Sequence, residues 1–311
     1  MLSRRLVASL LAGTAIAGLP MPAPLLAAEP DLSPEQKGRV RAQRVEDAIK
    51  LISPQYRFVT PGRFTVGIAA GRLPFGTIAT DNRTIVGSEA DLGQLVADSL
   101  GLDLALVLTA WADWPLGVQS GRFDAVISNV TVTEERKERL DFSTYRNDLL
   151  AFFVRHDGPI QSIREPKDVA GLKVIVSSGT NQERILINWI RQNEAAGLKT
   201  SEIQYYDDDA VLQLALQSGR ADAYLGPHAL LSYRAALDRK TRLAGTLSGG
   251  WPLTAEIAVT TRKGAGLAEA ITAALNAQIA NGNYGKALAR WGLEQEAITQ
   301  SRTNPPGLPK S

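Results

Sequence analysis

Between Ser128 and Arg136 the chain sets hydroxyls, an amide and a guanidinium at short spacing: Ser128, Asn129, Thr131, Thr133 and Arg136. That set suits a small carboxylate. A guanidinium grips a carboxylate through two parallel hydrogen bonds, and the hydroxyl and amide groups add donors. Phe123 to Ile127 reads as a short buried strand, and Thr131 to Glu134 has the spacing of a capping box opening a helix. Free N–H groups at such a helix start carry partial positive charge and attract anions. Capped junctions of this kind are common, however, and an arginine in a first helical turn often only meets solvent, so the local pattern alone does not decide for an anion site.

Other chemistries find less support. There is no cysteine, so a thiolate nucleophile, a disulfide framework and a cysteine-ligated metal are excluded. The two histidines, His156 and His228, are far apart and lack paired ligands at metal-binding spacing. No catalytic residue, metal or cofactor is therefore expected. Arg4 and Arg5, the apolar run Leu6 to Leu19 and the small residues ending at Ala27-Ala28 predict a secretory signal peptide, residues 1–28, cut near Ala28. The apolar run is shorter than the roughly 20 residues a bilayer-crossing helix needs, so no stable membrane insertion is expected. Removing those two arginines brings the 34 basic residues level with the 32 acidic ones. A neutral mature chain suggests neither nucleic acid nor an anionic membrane as partner.

The elements that must position these residues alternate. From Phe64 the pattern is strand, helix, strand: Phe64 to Ile68, Asp91 to Leu100, Leu104 to Leu108, Trp114 to Gln119 and Phe123 to Ile127. A second series follows, with strands at 174–176, 203–205 and 221–225 and helices at 182–193 and 211–217. Gln119-Ser-Gly-Arg-Phe-Asp-Ala125 and Gln217-Ser-Gly-Arg-Ala-Asp-Ala223 repeat one phrase, a helix stopped by glycine before a strand that begins at aspartate. Alternation of this kind predicts an α/β fold with helices on both faces of each sheet. Ahead of it, Glu35 to Ile52 reads as an extra helix with Val40, Val45, Ala48 and Ile49 on one face, packed on the first lobe, with a solvated linker as the alternative. Behind it, residues 294–311, with Pro305, Pro306 and Pro309, read as a disordered tail.

Gly-Arg-Phe-Asp-Ala-Val-Ile-Ser from Gly121, Thr-Val-Thr-Glu-Glu-Arg-Lys from Thr131 and Leu-Asp-Phe-Ser from Leu140 together resemble the signature of the family 3 extracellular solute-binding proteins, the polar amino acid receptors of ABC importers. The resemblance covers residues 64 to 292. It implies a two-lobed periplasmic-binding-protein fold of type II, two doubly wound sheets joined by a two-strand hinge. Lobe 1 would comprise 61–148 and 256–293, lobe 2 149–255, and 29–60 a helical extension. It also implies a periplasmic, monomeric protein that closes on an amino acid or related small carboxylate and delivers it to an inner-membrane permease. By position, Arg136 matches the arginine that holds the ligand carboxylate, with Ser128, Asn129 and Thr131 as polar contacts before it. Trp111 falls at the first lobe's aromatic wall, with an ordinary core tryptophan as the equal alternative. Gly179 with Thr180, Asn181 and Gln182 matches the turn that completes the carboxylate cradle, and Phe75 is a further apolar contact.

Energetics require both lobes. One charge-assisted hydrogen bond contributes about 1.5 to 3 kcal/mol, whereas micromolar binding needs about 8 kcal/mol. Two departures bear on the ligand. The aspartate that the family pairs with an α-ammonium is replaced by Pro227, so either another carboxylate substitutes, with Glu89 and Glu183 candidates on position alone and solvated surface residues as the favoured reading of each, or the ligand lacks that group. Arg72 stands where the family often has an aromatic residue, before Pro74-Phe75, and could meet a second acidic group, with a solvent-facing loop arginine as the equal alternative. Both tilt the expectation toward an acidic or non-amino carboxylate. Two alternatives share the resemblance: an exported enzyme of the cyclohexadienyl dehydratase type, using a carboxyl as general acid, and an accessory protein of a periplasmic quinoprotein dehydrogenase that has lost ligand binding.

Overall fold

A computed structural model describes residues 30–69, 71–206 and 208–310. The expected signal peptide lies outside the described residues. In chain order the elements are α1 (Glu46–Ile49), β1 (Arg63–Ile68), β2 (Thr77–Ile78), β3 (Ile85–Val86), α2 (Ser88–Leu100), β4 (Asp103–Leu108), α3 (Trp114–Gln119), β5 (Ala125–Thr131), β6 (Leu140–Asn147) and β7 (Leu149–Arg155). There follow β8 (Lys173–Ile175), α4 (Asn181–Ala195), β9 (Glu202–Gln204), α5 (Asp209–Gln217), β10 (Ala223–Pro227), α6 (His228–Asp238), β11 (Thr241–Ser248), β12 (Glu256–Arg262), α7 (Ala268–Ala280) and α8 (Asn283–Ala289). No helix of the described residues is long and apolar enough to cross a membrane.

Two five-stranded sheets result, in the orders β4-β1-β5-β12-β6 and β11-β7-β10-β8-β9. In each, three strands of the βα series run parallel and two more are added by antiparallel pairing, the inner one, β12 or β7, running against the other four. The added strands connect the lobes. Strand β6 passes into β7 with only Asp148 between them, and β11 returns to β12 through residues 249–255. At this double crossing Gly249 N donates to Asp148 O at 2.8 Å, and Asp148 N to Ala255 O at 2.9 Å. Separate apolar clusters fill the lobes, one around Phe64, Ile127 and Ile271, another around Phe152, Val174 and Trp189.

The repeated glycine-to-aspartate phrase has one structural job in both lobes. Asp124 Oδ2 accepts from Thr65 N at 2.7 Å, and Asp222 Oδ2 from Lys173 N at 2.8 Å. Each carboxylate thus satisfies a backbone donor at the start of the neighbouring parallel strand, where the ladder has no partner to offer.

Three expectations need correction. The capping box at Thr131 opens no long helix. Strand β5 runs on through Thr131, because Thr131 pairs with Ile257 and Val132 N donates to Glu256 O. Only one 3₁₀ turn, Arg136–Glu138, follows, with Thr133 Oγ1 accepting from Arg136 N at 3.1 Å. The N-terminal extension is helical only in α1. Its arginines reach Asp91 and Asp98, two turns apart on α2, and Val45 N donates to Ser99 O, so the chain lies extended along that helix.

The third correction concerns residues 294–310, which are packed rather than disordered. Strand β6 is a sheet edge, and the tail covers it: Thr144 N donates to Arg302 O and Asn304 N to Phe142 O. Farther on, Leu308 N donates to Val132 O and Glu134 N to Leu308 O. The prolines fall at 305, 306 and 309, positions from which no donor is needed. Glu296 is buried and ion-paired with Arg146, itself 1 % exposed.

Candidate functional site

The lobes face each other across a cleft with two adjoining compartments, of about 790 and 520 Å³. Trp111, Ala112, Ser178, Thr180 and Asn181 line both. Arg136 lines the larger compartment together with Trp114 and Gly179; Arg72, Asn129 and Gln182 line the smaller.

Arg136 joins the walls. Its Nη1 donates to Thr131 O at 2.8 Å and its Nη2 to Gly179 O at 3.3 Å, across the lobes. The guanidinium carbon stands 5.9 Å from the ring centroid of Trp111 and 5.7 Å from that of Trp114. Two of its five N–H donors are thereby used. The ion pairs among the described residues leave Arg136 out. Loss of solvent around it lowers its pKa to about 10, with Asp148 acting in the opposite sense, so the group stays charged at neutral pH. A cation held this way favours an incoming anion.

The second wall offers the helix start that the first lacks. Thr180 has an extended backbone and caps α4: its Oγ1 accepts from Glu183 N at 3.3 Å and donates to Ser177 O at 2.6 Å. Helix α4 is 15 residues long, and the residues opening it, Asn181 and Gln182, face the cleft. Its positive end adds to the pull on an anion. Glu183 lies in the same turn, but its carboxylate accepts from Gly179 N at 2.7 Å and from Tyr205 OH at 2.6 Å.

Of the residues expected to line the site, three do not. Ser128 is buried, its Oγ accepting from Ala69 N at 2.8 Å. Thr131 sits within a network between the lobes, its Oγ1 2.8 Å from Asp148 Oδ2 and 3.0 Å from Asn181 Oδ1. Asn181 Nδ2 also donates to Asp148 Oδ2 at 3.0 Å and to Gly249 O, so this network ties the two lobes together at the hinge. Phe75 is 1 % exposed and carries the Arg146 guanidinium at 4.7 Å from its ring centroid. Its apolar face supports a buried cation rather than a guest.

Asn129 does reach the cleft, for a backbone reason. The pairing of β5 with β12 loses register between Val126 and Val130, and Asn129 takes a φ of 53°. Asparagine tolerates that left-handed conformation, and the bulge re-aims its side chain. Arg146 donates to its Oδ1.

Sequence reasoning missed the aromatic side of the smaller compartment: Tyr205, Tyr206 and Tyr224, with Leu212 and Leu230. A usable signal existed, since Tyr205 and Tyr206 directly follow β9, and guests of open α/β sheets sit beyond the carboxyl ends of parallel strands.

Comparison with known proteins agrees with this architecture. The model of the bacterial extracellular solute-binding proteins, family 3, matches residues 64–294. The L-cystine-binding protein TcyJ of Escherichia coli K12 is 33% identical over 188 residues, 60% of this chain and 65% of that protein. The match thus spans less than two thirds of this relative's length. Among solved structures, an ancestral arginine-binding protein bound to glutamine is 29% identical with a TM-score of 0.63, over 75% of this chain and 98% of the other. The ancestral amino acid-binding protein AncCDT-1, a precursor of cyclohexadienyl dehydratase, is 25% identical with a TM-score of 0.63, over 74% and 95%. With two lobes, two mixed sheets and a double crossing between them, the chain has the type II periplasmic-binding-protein fold and belongs to the family 3 bacterial extracellular solute-binding proteins.

Proposed function

We propose that this solute-binding protein captures an amino acid or related small carboxylate between its lobes and delivers it to the permease of an ABC importer after export and removal of residues 1–28. The observation that carries this is Arg136, a charged guanidinium with no carboxylate at ion-pairing distance among the described residues, framed by two indoles and facing the start of α4. The acid displaces water from the guanidinium and takes further donors from the Thr180 to Gln182 helix start. Closure then strengthens each contact by excluding solvent.

An enzymatic role, the second reading, would need a carboxyl of raised pKa in the cleft. The carboxyl with the pKa best suited to general acid work is Glu89, raised to about 7 by burial, with Arg146 and Arg72 opposing. It receives the Tyr145 hydroxyl at 3.2 Å and lines neither compartment. Binding isotherms of wild type and Arg136→Ala with a panel of amino acids and their non-amino analogues test the proposal. Removing the guanidinium is expected to weaken binding by about ten- to hundredfold, with the unfolding profile unchanged. Wild-type affinity in the variant refutes it.

A further inference from the structure

The two compartments meet at Trp111, and each brings a guanidinium to that indole. The Arg72 guanidinium carbon lies 5.8 Å from the ring centroid and that of Arg136 5.9 Å. The two cations are therefore no farther apart than the sum of those distances. Like charges at such a separation in a partly desolvated cleft repel, and an anion that meets both relieves the repulsion.

Carboxyls act on both cations, Asp148 and Glu135 on Arg136 and Glu89 on Arg72, and Glu135 and Glu138 line the Arg136 compartment, but among the described residues no carboxylate forms an ion pair with either guanidinium. Glu89 is buried with Tyr145 and lies outside both compartments, and Glu183 is occupied by Gly179 N and the Tyr205 hydroxyl. Among the described residues lining the Arg72 compartment none is acidic; its polar groups are hydroxyls, amides and phenols. A protonated amine placed there would lose its water beside a guanidinium and gain no counter-ion. A second carboxylate would gain one.

Resting on the acid-binding role above, we propose that the guest is a short dicarboxylate without an ammonium group, one carboxylate on Arg136, the other on Arg72, and the carbon body along Trp111. The volume of the cleft and its tyrosines also accommodate an aromatic diacid. Pro227, where the family's ammonium-binding aspartate would stand, is consistent with the same guest.

Titration calorimetry of the full chain with glutarate, isophthalate, L-glutamate and 3-phenylpropionate decides this. Glutarate differs from L-glutamate only in lacking the amine, and 3-phenylpropionate has a single carboxylate. Glutarate or isophthalate is expected to bind about tenfold or more tighter than L-glutamate, and Arg72→Gln to lower diacid affinity by about tenfold or more. Arg72→Lys retains part of it, and 3-phenylpropionate is affected by neither change. Tighter binding of L-glutamate, or equal losses for the diacids and the monoacid in Arg72→Gln, overturns the dicarboxylate assignment and leaves acid capture standing. No binding of any of the four acids overturns the dicarboxylate assignment, and a further lack of response to the whole amino acid panel overturns acid capture as well.

Discussion

The lobes are held together in different ways. In the first, charges are buried and tied by segments from outside the sheet: Arg146 with Glu296 of the tail, and Asp91 with Arg39, Arg290 and the Trp291 indole. In the second, the ion pairs among the described residues, such as Arg155 with Asp157 and Lys167 with Glu165, lie at the surface. A lobe braced on both flanks makes a rigid platform, and this is the lobe that carries Arg72, Trp111 and Arg136. The other supplies neutral donors from a helix start and a tyrosine wall. Charge is held in a fixed place, and the wall that closes over it contributes no formal charge of its own beyond the occupied Glu183 and the rim residue Arg184.

This contrast can be broken most forcefully at Glu296. Replacing it by alanine leaves Arg146 buried without its partner and is expected to cost about 3–5 kcal/mol of stability, read as a lower urea midpoint. A loss under about 1 kcal/mol would mean that the tail does not brace the platform. A second handle is pH. Burial raises Glu89 from its ordinary 4.5 to about 7, so the native state holds this proton more tightly than the unfolded chain does. Unfolding then releases a proton within that window, and stability falls as pH rises from about 4.5 to 7. Glu89→Gln should flatten that slope in a melting series; an unchanged slope assigns it to another group.

Smaller effects sharpen the comparison from the second lobe. Thr180→Ala removes the cap of α4 and is expected to cost about 1 kcal/mol, with a matching loss of acid affinity under the proposal that the helix start contributes to the carboxylate cradle. Asp157→Ala, at an exposed pair, should stay within about 0.5 kcal/mol of wild type by the same urea measurement.

How far the sequence carried follows from which signals were local. The βα alternation and the twin glycine-to-aspartate phrases were legible because each depends on residues close along the chain, and Asp124 and Asp222 do the same work in their lobes. The cleft residues Arg136, Trp111, Thr180, Asn181, Gln182, Asn129 and Arg72 were legible through family resemblance and residue chemistry. The extension and the tail were not. Proline content in 305–309 signals disorder only while the free edge of β6 is unknown, and Glu35 to Ile52 scores as a helix only while Asp91 and Asp98 of α2 are not seen to attract its arginines. Ser128, Thr131 and Phe75 were assigned to the guest because nothing in the linear order shows that Ala69 N, Asp148 and Arg146 take them first.

The most direct test of acid capture is a crystal structure with a bound acid. Its carboxylate is expected on the Arg136 guanidinium, beside Trp111 and facing the Thr180 to Gln182 helix start. An acid bound elsewhere, with Arg136 still spending its donors only on the Thr131 and Gly179 carbonyls, would contradict it.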